Sequence, residues 1–186
     1  MGWTIHTEYA NDKSMTPKRY WEEIYIPKVA NWDKDRYEVV AKNSYGTEFY
    51  AAIKDKVENR TLCLVALIEK NKYGIGIKEM DSSMGPCYYH ASKKVLNALS
   101  EPINDWDREW REECIRKLEA EKLNKTNVNA VSNGMSIRFD SPYVIEGKHY
   151  RVFKVYSKSE NLFKHEDFSG LLRINDWKKI PFTIIS

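Results

Sequence analysis

Asp81, Ser82, Ser83, Cys87 and His90 fall within a single ten-residue stretch, inside the run Lys78-Glu79-Met80-Asp81-Ser82-Ser83-Met84-Gly85-Pro86-Cys87-Tyr88-Tyr89-His90. A serine or cysteine nucleophile needs a base within hydrogen-bond reach and a third group to orient that base. Of His6, His90, His149 and His165, only His90 lies in this packet. The chemistry these residues could do is therefore hydrolysis by a thiol or a serine, with Cys87, His90 and Asp81 as the first combination to consider. Their spacing matches no hydrolase signature, and nothing nearby marks an oxyanion hole. The better expectation is structural: Asp81 and Ser82 tie down a loop through backbone amides while Cys87 and Tyr88 pack. No catalytic residue is assigned.

Metal and cofactor chemistry find no pattern either. Cys63, Cys87 and Cys114 are dispersed and odd in number, without zinc-ligand spacing. Asp105 and Asp107 stand at a helix start, where carboxylates favour the positive end of the dipole. Gly74-Ile75-Gly76 lacks the third glycine of a phosphate loop and reads as strand. No metal and no cofactor is expected.

The elements that must position the central packet can be read around it. A loose first strand covers residues 1–9. Thr16-Pro17 starts a helix, Thr16 as cap and Pro17 in the first turn, carrying Tyr20, Trp21, Ile24 and Tyr25 and stopping at Pro27. Strands follow at 36–42, 47–54, 62–69 and 72–78, joined by short connections, which predicts an antiparallel meander. Gly74 and Gly76 strip one face of the last strand, so a helix or backbone should pack close there. Ser92 caps a second helix with Val95, Leu96 and Leu99 on one face, ending at Pro102. A third helix begins at Asn104 or Asp105, with Trp106, Trp110, Cys114 and Leu118 as its apolar stripe, widened by Ile115.

Residues 123–133 are rich in Asn, Lys, Thr and Ser and read as a linker. After it the chain alternates in short strands separated by Gly and Pro turns. The expected fold is α+β: residues 1–122 form an antiparallel sheet with helices on one face, and residues 134–186 form a small SH3-like β-rich domain.

The aromatic content of 13% excludes a disordered chain, and the net charge of +3, from 30 basic and 27 acidic side chains, is too small to imply nucleic acid by itself. The last third does interleave Lys148, Arg151, Lys154, Lys178 and Lys179 with Tyr143, Tyr150, Phe153, Tyr156, Phe163 and Trp177, the composition of a single-strand-binding module. Strict alternation, however, sends Lys148 and Lys154 to one face and Arg151 to the other unless a bulge intervenes. A charge set split in this way predicts no oligonucleotide binding at about 0.1–0.15 M salt. No apolar run reaches membrane length, and reduced thiols without a leader predict a cytoplasmic protein.

Several stretches, in order, carry a resemblance: Met1-Gly2-Trp3-Thr4, Tyr50-Ala51-Ala52, the central run from Lys78 to Tyr89, Trp110-Arg111-Glu112-Glu113-Cys114, and Gly134-Met135-Ser136-Ile137-Arg138-Phe139. Together they resemble a family of uncharacterised proteins of bacteriophages and mobile elements, marked by an N-terminal Gly-Trp-Thr and a central Met-Asp-x-Ser-Met-Gly-Pro. The family has no assigned chemistry, so the resemblance implies a setting. In that setting the expected role is non-catalytic interaction with a host or phage protein, alone or complexed with nucleic acid. Counter-defence of the anti-CRISPR kind, blocking a host nuclease, is the leading example. Asp81, Ser82, Met84, Gly85, Tyr88 and Tyr89 are then interface or structural residues. The alternatives are a nucleic-acid-binding module and a hydrolase of unknown substrate.

Overall fold

The computed structural model describes residues 2–185 and divides into two compact units, Met1–Leu118 and Glu119–Ser186. The first unit is built on a five-stranded antiparallel sheet. Strand β1 (Thr4–His6) precedes helices α1 (Pro17–Tyr20) and α2 (Ile26–Trp32). Strands β2 (Tyr37–Tyr45), β3 (Glu48–Asp55), β4 (Arg60–Asn71) and β5 (Gly74–Asp81) follow, giving the order β1-β5-β4-β3-β2. The meander is as expected. The glycine-stripped edge of β5 receives the backbone of β1: a side chain on Gly74 would collide with the His6 carbonyl, and one on Gly76 would stand 3.2 Å from the Trp3 ring.

Thr16 caps α1 by accepting from the Arg19 amide at 3.1 Å. Pro27 does not end the helix as expected. Trp21–Tyr25 form a π turn, in which the Ile26 amide reaches back five residues to the Trp21 carbonyl. The widened turn carries the chain past a residue that has no N–H to give and whose ring would crowd the preceding turn, and α2 continues to Trp32.

Period-two alternation assigns the two sheet faces. Phe49, Ala51, Ala66, Ile68, Ile75 and Ile77 face Met15, Tyr20, Trp21 and Ile26 in one core. Tyr50, Ala52, Cys63 and Val65 face Ala91, Val95, Trp110 and Cys114 in the other. Helices were expected on one face. Elements cover both, which is why Phe49–Ile53 of β3 and Leu62–Ile68 of β4 are unbroken apolar runs rather than alternating.

Helix α3 is only Lys93–Leu96, short of the expected end at Pro102. Ser100 is taken instead by the start of β4: its amide donates to the Thr61 carbonyl at 3.1 Å, and its Oγ accepts from the Thr61 amide at 2.9 Å. Helix α4 (Asp105–Ala130) is capped by Asn104, whose side chain accepts from the Asp107 amide at 2.8 Å. Its buried line is Asp107, Trp110 and Cys114, while Trp106 is 64% exposed and Ile115 is exposed, so the expected stripe is out of phase at its start.

The division between the units falls within α4, and residues 123–130, expected as linker, are helical. Val128 packs this polar stretch against the core of the second unit, and two asparagines add to that hold. Asn124 Nδ2 donates to the Lys178 carbonyl at 3.0 Å and Asn127 Nδ2 to the Phe182 carbonyl at 2.7 Å.

The second unit holds β6 (Ser136–Ile145), β7 (Lys148–Ser157), β8 (Leu162–Lys164), β9 (Leu172–Arg173) and β10 (Phe182–Ile184), all antiparallel in the order β10-β6-β7-β8-β9. Phe139, Phe153, Phe163, Trp177 and Phe182 fill its core with Val131. Ser141-Pro142 lies in an irregularity of β6: Arg138 pairs with Val152 and Tyr143 with Tyr150, so four residues of β6 stand opposite one of β7.

Candidate functional site

The central packet folds as a tight loop. Asp81 Oδ1 accepts from the Ser83 amide at 2.8 Å and from the Ser83 hydroxyl, starting a single 3-10 turn over Ser82–Met84. Ser82 is fully buried, and its Oγ accepts from the Cys63 amide at 3.4 Å. Gly85 ends the turn at φ +60 against the Trp106 ring. The Trp110 indole donates to the Tyr88 carbonyl at 2.7 Å. Tyr88 and Tyr89 are half-buried against the core containing Trp110, whereas Met84 is exposed.

The combination of Cys87, His90 and Asp81 is not brought together by hydrogen bonds. His90 Nδ1 lies 2.8 Å from Glu48 Oε2, and since a carboxylate only accepts, Nδ1 carries the proton. Tyr50 also donates to Glu48 Oε2, and the Tyr50 hydroxyl accepts from the His90 amide at 2.9 Å. Burial and the Glu48 carboxylate push the Tyr50 phenol far above its ordinary pKa. Tyr45 stacks on the His90 ring at 3.8 Å, and Asn43 clamps the His90 carbonyl and the Ser92 amide at 3.0 and 2.8 Å. This cluster pins the loop to the ends of β2 and β3. Asp107, fully buried, is held by Arg111 through two bonds of 2.9 and 2.7 Å, and Arg111 also donates to the Ser100 carbonyl.

A cleft in this unit was not read from the sequence. On the sheet face covered by α2, a cleft of about 490 Å³ opens beside the helix. Its floor is Ile53, Leu62 and Leu64, and its rim carries Tyr25, Trp32 and Tyr37. Trp32 is 79% exposed and stacks on Tyr37 at 5.5 Å with an interplanar angle of 11°. Arg36 crosses the same ring at 5.1 Å while its guanidinium holds Asp55 at 2.9 and 2.7 Å. That ion pair lowers the Asp55 carboxyl below its ordinary value and raises Arg36. Lys28, Arg60 and Glu79 also line the cleft, and none of them has an ion-pair partner among the described residues. Partial burial alone raises the Glu79 carboxyl above its usual value. Asp81 reaches the cleft edge from the end of β5, so the central loop borders it.

In the second unit, Lys148 stands exposed at the start of β7, Arg151 donates to the Asp140 carbonyl at 2.7 Å, and Lys178 lies 5.8 Å over the Trp177 ring, followed by Lys179 at the end of a short 3-10 turn. Lys154 stands directly opposite Lys164 on β8. Among the described residues no three His, Cys, Asp or Glu side chains cluster as a metal site, and no helix is long and apolar enough to cross a membrane. Comparison of the chain with protein families, with curated proteins and with solved structures finds no match.

Proposed function

We propose that this protein works by binding a protein partner through the aromatic-rimmed cleft of its first unit, without turning over a substrate. The single observation behind this reading is Trp32, largely exposed and stacked on Tyr37 at the mouth of an apolar cleft. Tryptophan, tyrosine and arginine are the residue types that carry most binding energy at interfaces, and a stacked, preordered pair loses little freedom on binding. A cleft of about 490 Å³, with an apolar floor and Glu79 in its lining, takes from a partner an anchor side chain that is apolar along its stem and basic at its tip. The resemblance to phage-borne proteins supplies the class of partner: a cytoplasmic host defence effector, such as a CRISPR-type nuclease with its guide. The antiparallel pairing and the bulges of the second unit support its reading as an SH3-like half-open barrel.

Photo-crosslinking side chains placed at Lys28, Trp32 and Tyr73 test the surface. One host protein should crosslink from positions 28 and 32 and not from 73, and Ile53→Arg, which fills the cleft, should abolish it. Crosslinks that survive Ile53→Arg would move the interface elsewhere. In a host with an active CRISPR-type nuclease, expressing the protein should raise phage plating and Trp32→Ala should not. Equal plating with and without the protein would end the counter-defence reading while leaving the cleft open to another partner.

A further inference from the structure

The pairing of β6 to β10 gathers a set of cations that sequence alternation does not show. Phe139, Phe153, Val155 and Phe163 point into the core of the second unit. The register then turns Arg138 with Val152 and Thr183, Ser136 with Lys154, Lys154 with Lys164, and Leu162 with Arg173 toward the opposite face. Arg138, Lys154, Lys164 and Arg173 are all exposed, and none has an ion-pair partner among the described residues. No paired position on this face holds a carboxylate; Asp140, two residues beyond Arg138, stands at its margin. Residues 119–186 carry eleven basic and eight acidic side chains, so the chain's whole net charge of +3 resides in this unit.

Two further observations distinguish this face from an ordinary solvated one. Lys154 and Lys164 are directly opposed across the ladder, a like-charge placement that costs stability and that an anion relieves. Tyr156, at an irregularity where Val155 pairs with Phe163 and Ser157 with Leu162, is 60% exposed and borders a shallow depression with Lys154 and Lys164. A flat strand surface with cations spaced along it and an aromatic ring beside them is suited to a phosphate backbone with its bases unstacked.

We propose that this sheet face binds single-stranded nucleic acid, with Arg138, Lys154, Lys164 and Arg173 on phosphates and Tyr156 stacking on a base. The site is independent of the cleft in the first unit.

The test is fluorescence anisotropy of the full chain with a labelled oligonucleotide of about 20 nucleotides. Four neutralised phosphates give a slope of log K against log salt of about −3, hence an affinity loss of about 50-fold between about 0.05 and 0.2 M salt. Lys154→Glu with Lys164→Glu should weaken binding at least about tenfold. Lys178→Glu with Lys179→Glu, the same change in net charge away from this face, should weaken it much less. Tyr156→Ala should lower affinity without changing the salt slope. If the charge reversal unfolds the unit, Lys154→Gln with Lys164→Gln gives the same comparison with no added repulsion. No binding at about 0.05 M salt would overturn the proposal. So would equal losses in the two reversal pairs, or polyglutamate binding as tightly as the oligonucleotide, which would make the face one for acidic protein.

Discussion

Gly85 and Trp106 are in direct register: a methyl group at Gly85 would stand 2.9 Å from Trp106 Cε3, and Gly85 sits at φ +60, where only glycine is unstrained. Gly85→Ala should cost about 1–2 kcal/mol, mostly from the backbone, because the exposed Trp106 ring can swing aside. Urea denaturation of Gly85→Ala, Trp106→Ala and the double variant would measure this. The contact predicts a double variant less destabilised than the sum of the singles, and strict additivity would show that the ring plays no part.

Asp107 and Arg111 form the most consequential ion pair in the first unit, because Asp107 has no exposed surface. Removing Arg111 leaves a buried carboxylate that accepts only from the Ile103 amide, at 3.3 Å, among the described residues. Arg111→Ala should therefore cost about 3–5 kcal/mol, whereas replacing both partners by Met and Leu should cost less. Thermal melts of the single and double variants decide the point, and a single variant no worse than the double would remove the charge argument.

The three thiols should separate cleanly by reactivity. Burial pushes Cys114 up to about 12 and Cys63 well above the ordinary thiol value, while Cys87 is exposed. At about pH 8, a thiol reagent should modify one cysteine quickly in the native protein and all three after denaturation. Cys87→Ser should remove the fast phase. Loss of a binding function in the folded Cys87→Ser protein would return the thiol to consideration as a functional group.

What was legible in the sequence was whatever is decided locally. Thr16 and Ser92 cap helices because a hydroxyl next to free amides needs no tertiary partner, whereas the second covered face of the sheet was not read, although the apolar runs of β3 and β4 fit it. Pro27 misleads because a π turn accommodates it, and that turn packs Trp21 on Phe49, a residue distant in sequence. Trp106 misleads because the eye follows the apolar type, whereas Asp107 is held inside by Arg111 one turn on, a pairing that i,i+4 spacing does display. The cleft was invisible because its lining comes from α2 and four strands, none distinctive alone. The basic face was hidden by the irregularity in β6: the hairpin register of Tyr143 with Tyr150, carried straight on, would set Arg138 opposite Val155, whereas Arg138 stands opposite Val152, and an odd shift exchanges the two faces.

Glu79 offers a pH-dependent test of the cleft itself. Its carboxyl is raised above the ordinary glutamate value by desolvation, so the folded protein holds that proton more tightly than the unfolded chain does. The linked stabilisation is fully present below the unfolded value and is lost as pH rises through the folded one. At neutral pH the ionised group therefore carries a desolvation cost that glutamine would not. Glu79→Gln should raise the melting temperature near about pH 7 and match the wild type below about pH 4. A basic anchor entering the cleft would reverse the benefit, because it would pair with the ionised Glu79 and lose that pairing in the variant. The expected result is thus a variant more stable alone and weaker in partner binding at about pH 7. A variant that binds its partner as tightly as the wild type would show that the occupant does not use Glu79 and that the apolar floor of Ile53, Leu62 and Leu64 carries the contact alone.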